Sequence, residues 1–313
     1  MTPKTNVRPR DAERPEDGSA LGISAVILSY NSARYIEACV RSLAAALPAT
    51  EPNEIWVIDN GSTDGSVEIL RRIEQELAEL RVIYSARNLG TTVSRNLALR
   101  QARGRYILII DSDVEIAAGT IEILLDILDR EPRCGIAAPR LTYGDGRPQL
   151  SADVFPSVGR KLHRLFALRR MEAALPSADP DQLRRADYAI SAFWALRREI
   201  LDQVGYFDEL IFYSPEDVDY CLRVWQAGYA VLQVGAAASV HHGQEISRNM
   251  MRPKFMARHA KGLAYLFMKH RYAFGLRRLY RRLGITEFKD SRWRISADRV
   301  QIGPPEARRQ RYL

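Results

Sequence analysis

The chain is organised around one stretch, Gly104-Arg-Tyr-Ile-Leu-Ile-Ile-Asp-Ser-Asp-Val-Glu115. Tyr106 to Ile110 is a short apolar run rich in β-branched residues, which is typical of a strand buried on both faces of a parallel sheet. Asp111 and Asp113 follow this run, and residues two apart in an extended chain project to the same side. The sequence therefore predicts two converging carboxylates at the C-terminal end of a buried strand.

This Asp-x-Asp pair predicts a divalent-ion site. Two neighbouring carboxylates repel each other unless a cation lies close to them, and oxygen ligands favour a hard ion such as Mg²⁺ or Mn²⁺. A phosphate-bearing substrate is the usual co-ligand, and the tripeptide itself contains no cation that would replace the metal. The alternative interpretation is a solvated turn after a core strand.

The length of 313 residues predicts one large domain, or one domain with an appendage. No run of 18 or more apolar residues occurs and the N-terminus is polar and charged, so we expect a cytoplasmic protein. The three cysteines, Cys39, Cys134 and Cys221, are widely spaced in apolar surroundings. This arrangement indicates reduced core residues and not a disulfide or zinc framework.

The formal net charge of +8 raises nucleic acid, anionic lipid or a phosphorylated ligand as partners. Most of the basic excess follows Arg248, and no nucleic-acid-binding motif lies in the globular part, so we expect no nucleic-acid partner. Residues 1–20 are predicted to be disordered. Residues 21–250 are predicted to form the catalytic domain, and residues 251–313 a basic, amphipathic helical extension and tail.

The first half alternates strands and helices. Buried strands are predicted at Ile23–Ser29, Glu54–Ile58 and Arg81–Tyr84, each followed by a helical pattern, before the strand that ends at Asp111. Short βα units predict an α/β fold with a Rossmann-like, mostly parallel sheet flanked by helices, and ligands bind at the carboxyl ends of such strands. No dinucleotide fingerprint or P-loop is present.

The second half is less regular. Val158 to Asp181 is predicted to be a basic insertion that forms a loop over the site. The other predicted elements are a helix from Thr120, strands at Ile136–Pro139, Asp187–Leu196 and Tyr229–Val234, a turn at Val204–Glu209 and a helix at Glu216–Gly228.

Six motifs follow one another along the chain: Val26-Ile-Leu-Ser-Tyr-Asn31, Val57-Ile-Asp-Asn-Gly-Ser-Thr-Asp-Gly65, Arg87-Asn-Leu-Gly90, Asp111-Ser-Asp113, Val204-Gly-Tyr-Phe-Asp-Glu209 and Glu216-Asp-Val-Asp219. In this order they resemble a known family, the inverting nucleotide-sugar glycosyltransferases of family two, which have the A-type glycosyltransferase fold. The resemblance covers about residues 22–250, and within the family the chain looks like the bacterial rhamnosyltransferase-like branch that builds cell-surface polysaccharides.

The resemblance implies a role for each matching residue. Asp59 accepts a hydrogen bond from the donor base, and Asp113 holds the metal. Asp217 is the general base for the acceptor hydroxyl, with Glu216 as the runner-up. The remaining implied donor and metal residues are Ser29, Tyr30, Asn31 and Arg87 for the nucleoside, Asp111 for the ribose or the metal shell, and either His241 or His242 for the metal or diphosphate.

The implied reaction is metal-dependent transfer of a sugar from a UDP- or dTDP-linked donor to a saccharide or lipid-linked acceptor, with Mg²⁺ or Mn²⁺ as cofactor. A catalytically inactive nucleotide-sugar binding protein is the alternative. Ser191 and Pro215 depart from the family pattern and leave the acceptor geometry open.

Some candidate residues also have structural interpretations. Asp217 and Glu216 could be ordinary helix N-terminal acids, and Asp64 and Asp219 are expected to be structural. Met250 to Leu283 is predicted either to touch an anionic membrane at the inner face of the plasma membrane or to pack on the domain or on a second subunit.

Overall fold

The computed structural model of the chain describes residues 21–175, 183–243 and 253–285. The predicted disordered tail of residues 1–20 and the last part of the predicted extension, residues 286–313, lie outside the described residues. The same is true of the end of the predicted insertion and of the link before the extension.

The described residues form strands that alternate with helices through most of the chain. The strands are β1 (Ile23–Ser29), β2 (Asn53–Asp59), β3 (Leu80–Tyr84), β4 (Tyr106–Asp111), β5 (Val114–Ile116), β6 (Cys134–Thr142), β7 (Ala152–Asp153), β8 (Leu183–Ala186), β9 (Tyr188–Ala189), β10 (Phe193–Arg197) and β11 (Ala230–His241). The helices are α1 (Ile36–Ala46), α2 (Ser66–Glu76), α3 (Thr91–Leu99), α4 (Thr120–Arg130), α5 (Val158–Ala173), α6 (Arg198–Val204), α7 (Glu216–Gln226), α8 (Pro253–Lys269) and α9 (Arg277–Arg282).

The main sheet has the order β3-β2-β1-β4-β10-β6-β11-β5, with β8 added beside β11. β1 pairs in parallel with β2 and β4, so Ser29 lies opposite Asp59, and Leu28 lies opposite Asp111. This confirms the predicted α/β fold and the mostly parallel sheet. β10 is antiparallel to its neighbours β4 and β6, β11 is parallel to β6, and β5 and β8 are antiparallel to β11.

The core lies on both faces of this sheet. Helices α1, α2 and α4 cover one face, and α3, α6 and α7 cover the other. Leu108 and Ile110 of β4 belong to the first cluster, whereas Ile107 and Ile109 belong to the second. The central strand is therefore buried on both sides, as its continuous apolar sequence predicts. The three cysteines are free and buried, which confirms their assignment as reduced core residues.

Two predictions for the second half are wrong. The described part of the predicted insertion forms helix α5, whose first turn is capped by the Ser157 hydroxyl, which accepts a hydrogen bond from the Arg160 main chain at 3.3 Å. Its many basic residues obscure the helical periodicity in the sequence. The predicted strand at Asp187–Leu196 is divided into β9 and β10, because residues 190–192 leave the extended path where Ser191 meets a buried arginine.

The helices after residue 252 pack against the α/β domain. Leu266 of α8, Leu279 of α9 and Tyr272 between the two helices are buried in the same apolar cluster as Val218 and Leu222 of α7. Across the ranges that the structure describes, no helix is both long and apolar enough to cross a bilayer.

Candidate active site at the carboxyl edge of the sheet

The strand-end carboxylates meet a histidine from the other side of the sheet. β11 runs antiparallel to β5 and sets His241 opposite Val114, the residue that follows the Asp-Ser-Asp turn. As a result His241 Nε2 lies 3.4 Å from Asp113 Oδ1. Asp111, Asp113 and His241 each offer one ligand atom, and these atoms lie within 4.8 Å of one another. Two carboxylates and an imidazole form a donor set that suits Mn²⁺ or Mg²⁺, so the residues present fit the implied divalent ion.

The two adjacent histidines point to different neighbours. His241 is oriented by a hydrogen bond of 2.8 Å between Nδ1 and Gln149 Oε1. The ring of His242 instead meets Glu115 Oε1 at 2.7 Å and stacks on Tyr35 with the centroids 5.0 Å apart. The hydrogen bond and charge of Asp113 raise the pKa of His241, although burial acts in the opposite direction. The structure therefore brings His241, and not His242, to the carboxylate pair.

A buried arginine, Arg95 of α3, lies beside the carboxylates. Its side chain is 1 % exposed and forms an ion pair with Asp111. It also donates from Nη1 to Ser191 Oγ at 2.7 Å, and its Nη1 lies 3.4 Å from Glu216 Oε1. Burial raises the pKa of Asp111, Arg95 lowers it, and the net direction is upward. One cation thus joins the Asp-x-Asp turn, the first turn of α7 and Ser191, which is one of the departures from the family pattern.

Arg95 is a candidate site residue that the sequence reasoning missed. The tripeptide holds no cation, but the fold brings one from a helix 16 residues upstream of Asp111. A signal was present, because Arg95 shares a helical face with Leu99, and an arginine on the apolar face of a short helix requires a buried partner. Tyr213 was also missed; the charges of Glu216, Asp111 and Asp113 add to burial in raising its pKa.

Glu216 and Asp217, the first two residues of α7, face different neighbours. Glu216 faces Arg95, and burial together with the Asp217 charge raises its pKa to about 8. Asp217 accepts a hydrogen bond of 2.7 Å from the Val218 main chain through Oδ1. Burial raises the pKa of Asp217, and Lys161 of α5 is the strongest of the cations that oppose this effect.

Asp219, two residues further on, has a structural environment. It is 1 % exposed and accepts from Lys269 at 2.6 Å and from His270 at 2.8 Å, in addition to an ion pair with Arg223 at 3.0 Å. Although burial opposes ionisation, the hydrogen bond from His270 and the neighbouring cations lower its pKa to about 2. Asp219 ties α7 to the end of α8, in agreement with its expected structural role.

The segment before α7 is fixed to α3, the helix that carries Arg95. Thr92 Oγ1 donates to the Ile211 carbonyl at 2.7 Å. The Asn96 side chain both donates to and accepts from the Phe207 main chain, at 2.9 and 3.0 Å. These contacts hold the Val204–Glu209 motif and the segment that follows it against α3. They thereby fix the position of the α7 acids relative to Arg95.

The ends of β1 and β2 present buried polar atoms. Asp59 Oδ2 accepts from the main chains of Gly61 and Ser62 at 3.2 and 3.0 Å, and this closes the turn. Within the described part of the chain, Asp59 Oδ1 and Ser29 Oγ are buried without a hydrogen-bond partner. Because buried polar atoms are normally satisfied, this pair on adjacent strands stands out at the edge of the sheet where the donor residues are predicted.

The other predicted donor residues form the rim of this region. Asn31 has φ of 50° and accepts from the Thr63 main chain at 2.9 Å. Tyr30 is half-buried, and Arg87 is exposed. Asp64 holds the loop through Ala33 and Ser66, as expected for a structural residue.

Comparison with known proteins decides the family. Residues 24–205 match the family described as Glycosyl transferase family 2. The chain belongs to this family. A Mycobacterium tuberculosis protein, N-acetylglucosaminyl-diphospho-decaprenol L-rhamnosyltransferase, is 30 % identical over 271 residues, which cover 79 % of this chain and 84 % of the relative. The chain is thus a glycosyltransferase of the rhamnosyltransferase-like branch.

Solved structures agree on the fold. Staphylococcus aureus TarS, residues 1–349 in complex with UDP-GlcNAc, matches with a TM-score of 0.58 and 21 % identity over 81 % of this chain and 67 % of the 1–349 chain. A Pyrobaculum calidifontis mannosyltransferase in complex with GDP-mannose and Mn²⁺ matches with a TM-score of 0.56 and 19 % identity, over 79 % of this chain and 63 % of that one. At these identities the similarity establishes the A-type glycosyltransferase fold alone.

Proposed function

We propose that this protein is a metal-dependent inverting glycosyltransferase that moves a hexosyl or rhamnosyl group from a UDP- or dTDP-sugar to a hydroxyl acceptor. The observation that carries the proposal is the cluster of Asp111, Asp113 and His241, which Arg95 connects to the acids at the start of α7. We assign the protein to the synthesis of a cell-surface polysaccharide or glycolipid. The mycobacterial relative, whose name specifies a diphosphate-linked lipid acceptor, supports this assignment.

The donor nucleoside would lie over the ends of β1 and β2. Asp59 Oδ1 and Ser29 Oγ are buried acceptor-capable atoms that lack a partner among the described residues, so a base or ribose group supplies hydrogen bonds there without displacing a protein contact. The residues proposed to bind the donor are Ser29, Tyr30, Asn31, Asp59, Arg87 and Asp111.

The diphosphate would lie beside Asp113 and His241, which would hold the divalent ion, Mg²⁺ or Mn²⁺. When bound there, the ion supplies Lewis-acid stabilisation of the charge that grows on the leaving nucleoside diphosphate. Arg95 holds Asp111 in place and keeps this part of the site balanced in charge.

Asp217 is the proposed general base. It takes the proton of the acceptor hydroxyl while the hydroxyl oxygen attacks the anomeric carbon and the bond to the diphosphate breaks on the opposite face, which inverts the configuration. Glu216 remains the runner-up. Glu216 lies near Arg95 and Asp111, on the donor side of the site. It is therefore better placed to position donor-binding residues than to take a proton from an acceptor hydroxyl.

Calorimetry and turnover together test this function. We expect UDP or dTDP to bind with Mn²⁺ and to bind much more weakly in EDTA or to Asp113→Asn. Undiminished affinity without metal would refute the metal requirement. Nucleotide-sugar binding without turnover of any hydroxyl acceptor would favour the inactive binding protein.

We also propose peripheral contact with an anionic membrane, at the inner face of the plasma membrane, through the described part of the extension. Residues 253–285 contain nine lysines and arginines and no acidic residue. Phe274 is 88 % exposed and Met268 71 %, although Leu266 on the other side of α8 is fully buried. Exposed apolar side chains can enter the acyl layer of an anionic bilayer while neighbouring cations contact its phosphate groups. The face of α8 that carries Leu266 packs on the domain, and the exposed face that carries Met268 remains for lipid.

Flotation with liposomes tests the membrane contact. Because α8 belongs to the core, point variants are better than a truncation. We expect the wild type to float with phosphatidylglycerol-containing vesicles but not with phosphatidylcholine alone, and Met268→Ser with Phe274→Ser to float less. Equal flotation of this double variant and the wild type would contradict the proposed surface.

A further inference from the structure

A basic cleft lies beside α5 and β9, and α7, whose first turn carries Asp217, packs against β9. The residues that line it include Arg160, Lys161 and Arg164 from one side of α5, together with Asp153 and Tyr188. Neither the sequence motifs nor the donor site described above uses this cleft.

The arginines of the cleft are held by local partners. Arg160 lies 2.7 Å and Arg164 3.7 Å from the Asp153 carboxylate, and Arg164 also donates to the Tyr188 hydroxyl at 2.7 Å. Their guanidinium groups are therefore fixed with donors still available, because each carries five N–H groups. Guanidinium groups that are fixed in this way are suited to donate hydrogen bonds to phosphate oxygens.

Lys161 is the residue that no local partner accounts for. It is half-buried and, among the described residues, has no hydrogen bond and no ion pair within 4.0 Å. Its pKa is lowered by burial, and the nearby Asp217 acts against that shift. Its charge also contributes, after burial, to lowering the pKa of His259 in α8 to about 4. A partly buried ammonium without a bonded partner favours an anionic ligand.

The position of the cleft indicates which substrate carries the anion. Glu216 faces Arg95 and the proposed donor diphosphate, whereas Lys161 of the cleft is the cation that most opposes the upward effect of burial on the pKa of Asp217. The lining of the cleft carries three lysine and arginine side chains against one carboxylate, Asp153, so it has an excess of positive charge.

We propose that this cleft binds a phosphate group of the acceptor, so that the acceptor is a glycosyl phosphate or diphosphate and not a neutral saccharide. The inference rests on the proposed function, since it takes Asp217 as the residue that meets the acceptor. Lys161 and Arg164 contact the phosphate, and the sugar hydroxyl that reacts lies towards Asp217.

Calorimetry with inorganic pyrophosphate in EDTA tests the cleft without turnover. We expect pyrophosphate to bind the wild type, and Lys161→Gln or Arg164→Gln to weaken binding roughly 10- to 100-fold, as for loss of one charge-assisted hydrogen bond. Lys161→Arg is expected to retain binding. Arg169→Gln, an exposed residue of the same helix, is the matched control and is expected to bind like the wild type.

Nucleotide binding separates the two substrates. With Mn²⁺, Lys161→Gln is expected to bind UDP or dTDP like the wild type. If Lys161→Gln loses affinity for pyrophosphate and for the nucleotide equally, the cleft belongs to the donor. If Lys161→Gln and the wild type bind pyrophosphate equally, there is no phosphate site in the cleft. Either result overturns the proposal. If Lys161→Gln does not fold, Arg160→Gln, whose side chain is 42 % exposed, takes its place.

The source of the phosphate is decided by competition. A soluble sugar 1-phosphate that displaces pyrophosphate supports an acceptor, whereas displacement only by phosphatidylglycerol vesicles would assign the cleft to a lipid headgroup and overturn the proposal. Failure of the proposed function would appear separately, as no nucleotide binding and no turnover while pyrophosphate still binds.

Discussion

Replacing Asp217 with asparagine tests whether this residue is the general base. The substitution keeps the size of the side chain, and its Oδ1 still accepts the hydrogen bond from the Val218 main chain. What is lost is the proton acceptor and one negative charge beside Lys161 and Arg164. The fold at the start of α7 is therefore expected to survive.

The two interpretations of Asp217 differ in magnitude. Loss of a general base typically costs roughly 10²- to 10⁴-fold in rate, or about 3–5 kcal/mol of barrier at about 1.4 kcal/mol per tenfold. An ordinary acid at a helix N-terminus contributes at most about 1 kcal/mol, and that to stability. Burial raises the pKa of Asp217 more than the two cations of α5 lower it, so neutralising this residue is not expected to lower the free energy of unfolding.

The assay is turnover of the best donor and acceptor, with nucleoside diphosphate affinity as the control for folding. Glu216→Gln is the matched variant, and because the pKa of Glu216 is raised to about 8, we expect the neutral isostere to keep both stability and turnover. Normal turnover in Asp217→Asn with a large loss in Glu216→Gln would move the base to Glu216. Normal turnover in both would refute the mechanism.

Three further predictions concern stability. Arg95→Met leaves two acids unpaired, so the free energy of unfolding in EDTA should fall by about 3–5 kcal/mol; a loss below about 1 kcal/mol in urea unfolding would contradict this. Asp219 has a folded-state pKa of about 2, below its ordinary value, so the stability that its ionised form contributes is present above about pH 4 and is lost as the pH falls towards 2. The unfolding free energies of the wild type and Asp219→Asn should therefore converge over that pH interval. A constant difference between them would contradict the pairing of Asp219 with its cations. A Cβ on Gly262 of α8 would lie 2.2 Å from the Ser214 carbonyl oxygen, so Gly262→Ala should destabilise by about 1–3 kcal/mol, whereas Gly275→Ala, with nothing within 4 Å, should leave the melting temperature unchanged.

The parallel half of the fold could be predicted because its signals are local. Each buried strand is a continuous apolar run that ends in a polar residue, and parallel pairing then brings those ends to one edge. The order of the short motifs identified the family for the same reason, since every motif is read within a few residues. That Asp59 and Asp111 lie at the same edge of the sheet follows from these local patterns, whereas their positions on either side of β1 come from the strand order of the folded chain.

Tertiary structure alone decided the partners of the site residues. Arg95 meets Ser191 and Glu216, which lie 96 and 121 residues away, and no local pattern encodes such pairs. The doubled histidine has the same residue type twice, and only the pairing of β11 with β5 turns one ring towards Asp113 and the other towards Glu115. The antiparallel pairing of β10 with β4 is likewise a long-range contact that no local pattern specifies. Local patterns thus specified the elements of the parallel half and the charged residues at the sheet edge, whereas long-range packing determined the elements of the second half that were mispredicted and which of those charges pair with one another.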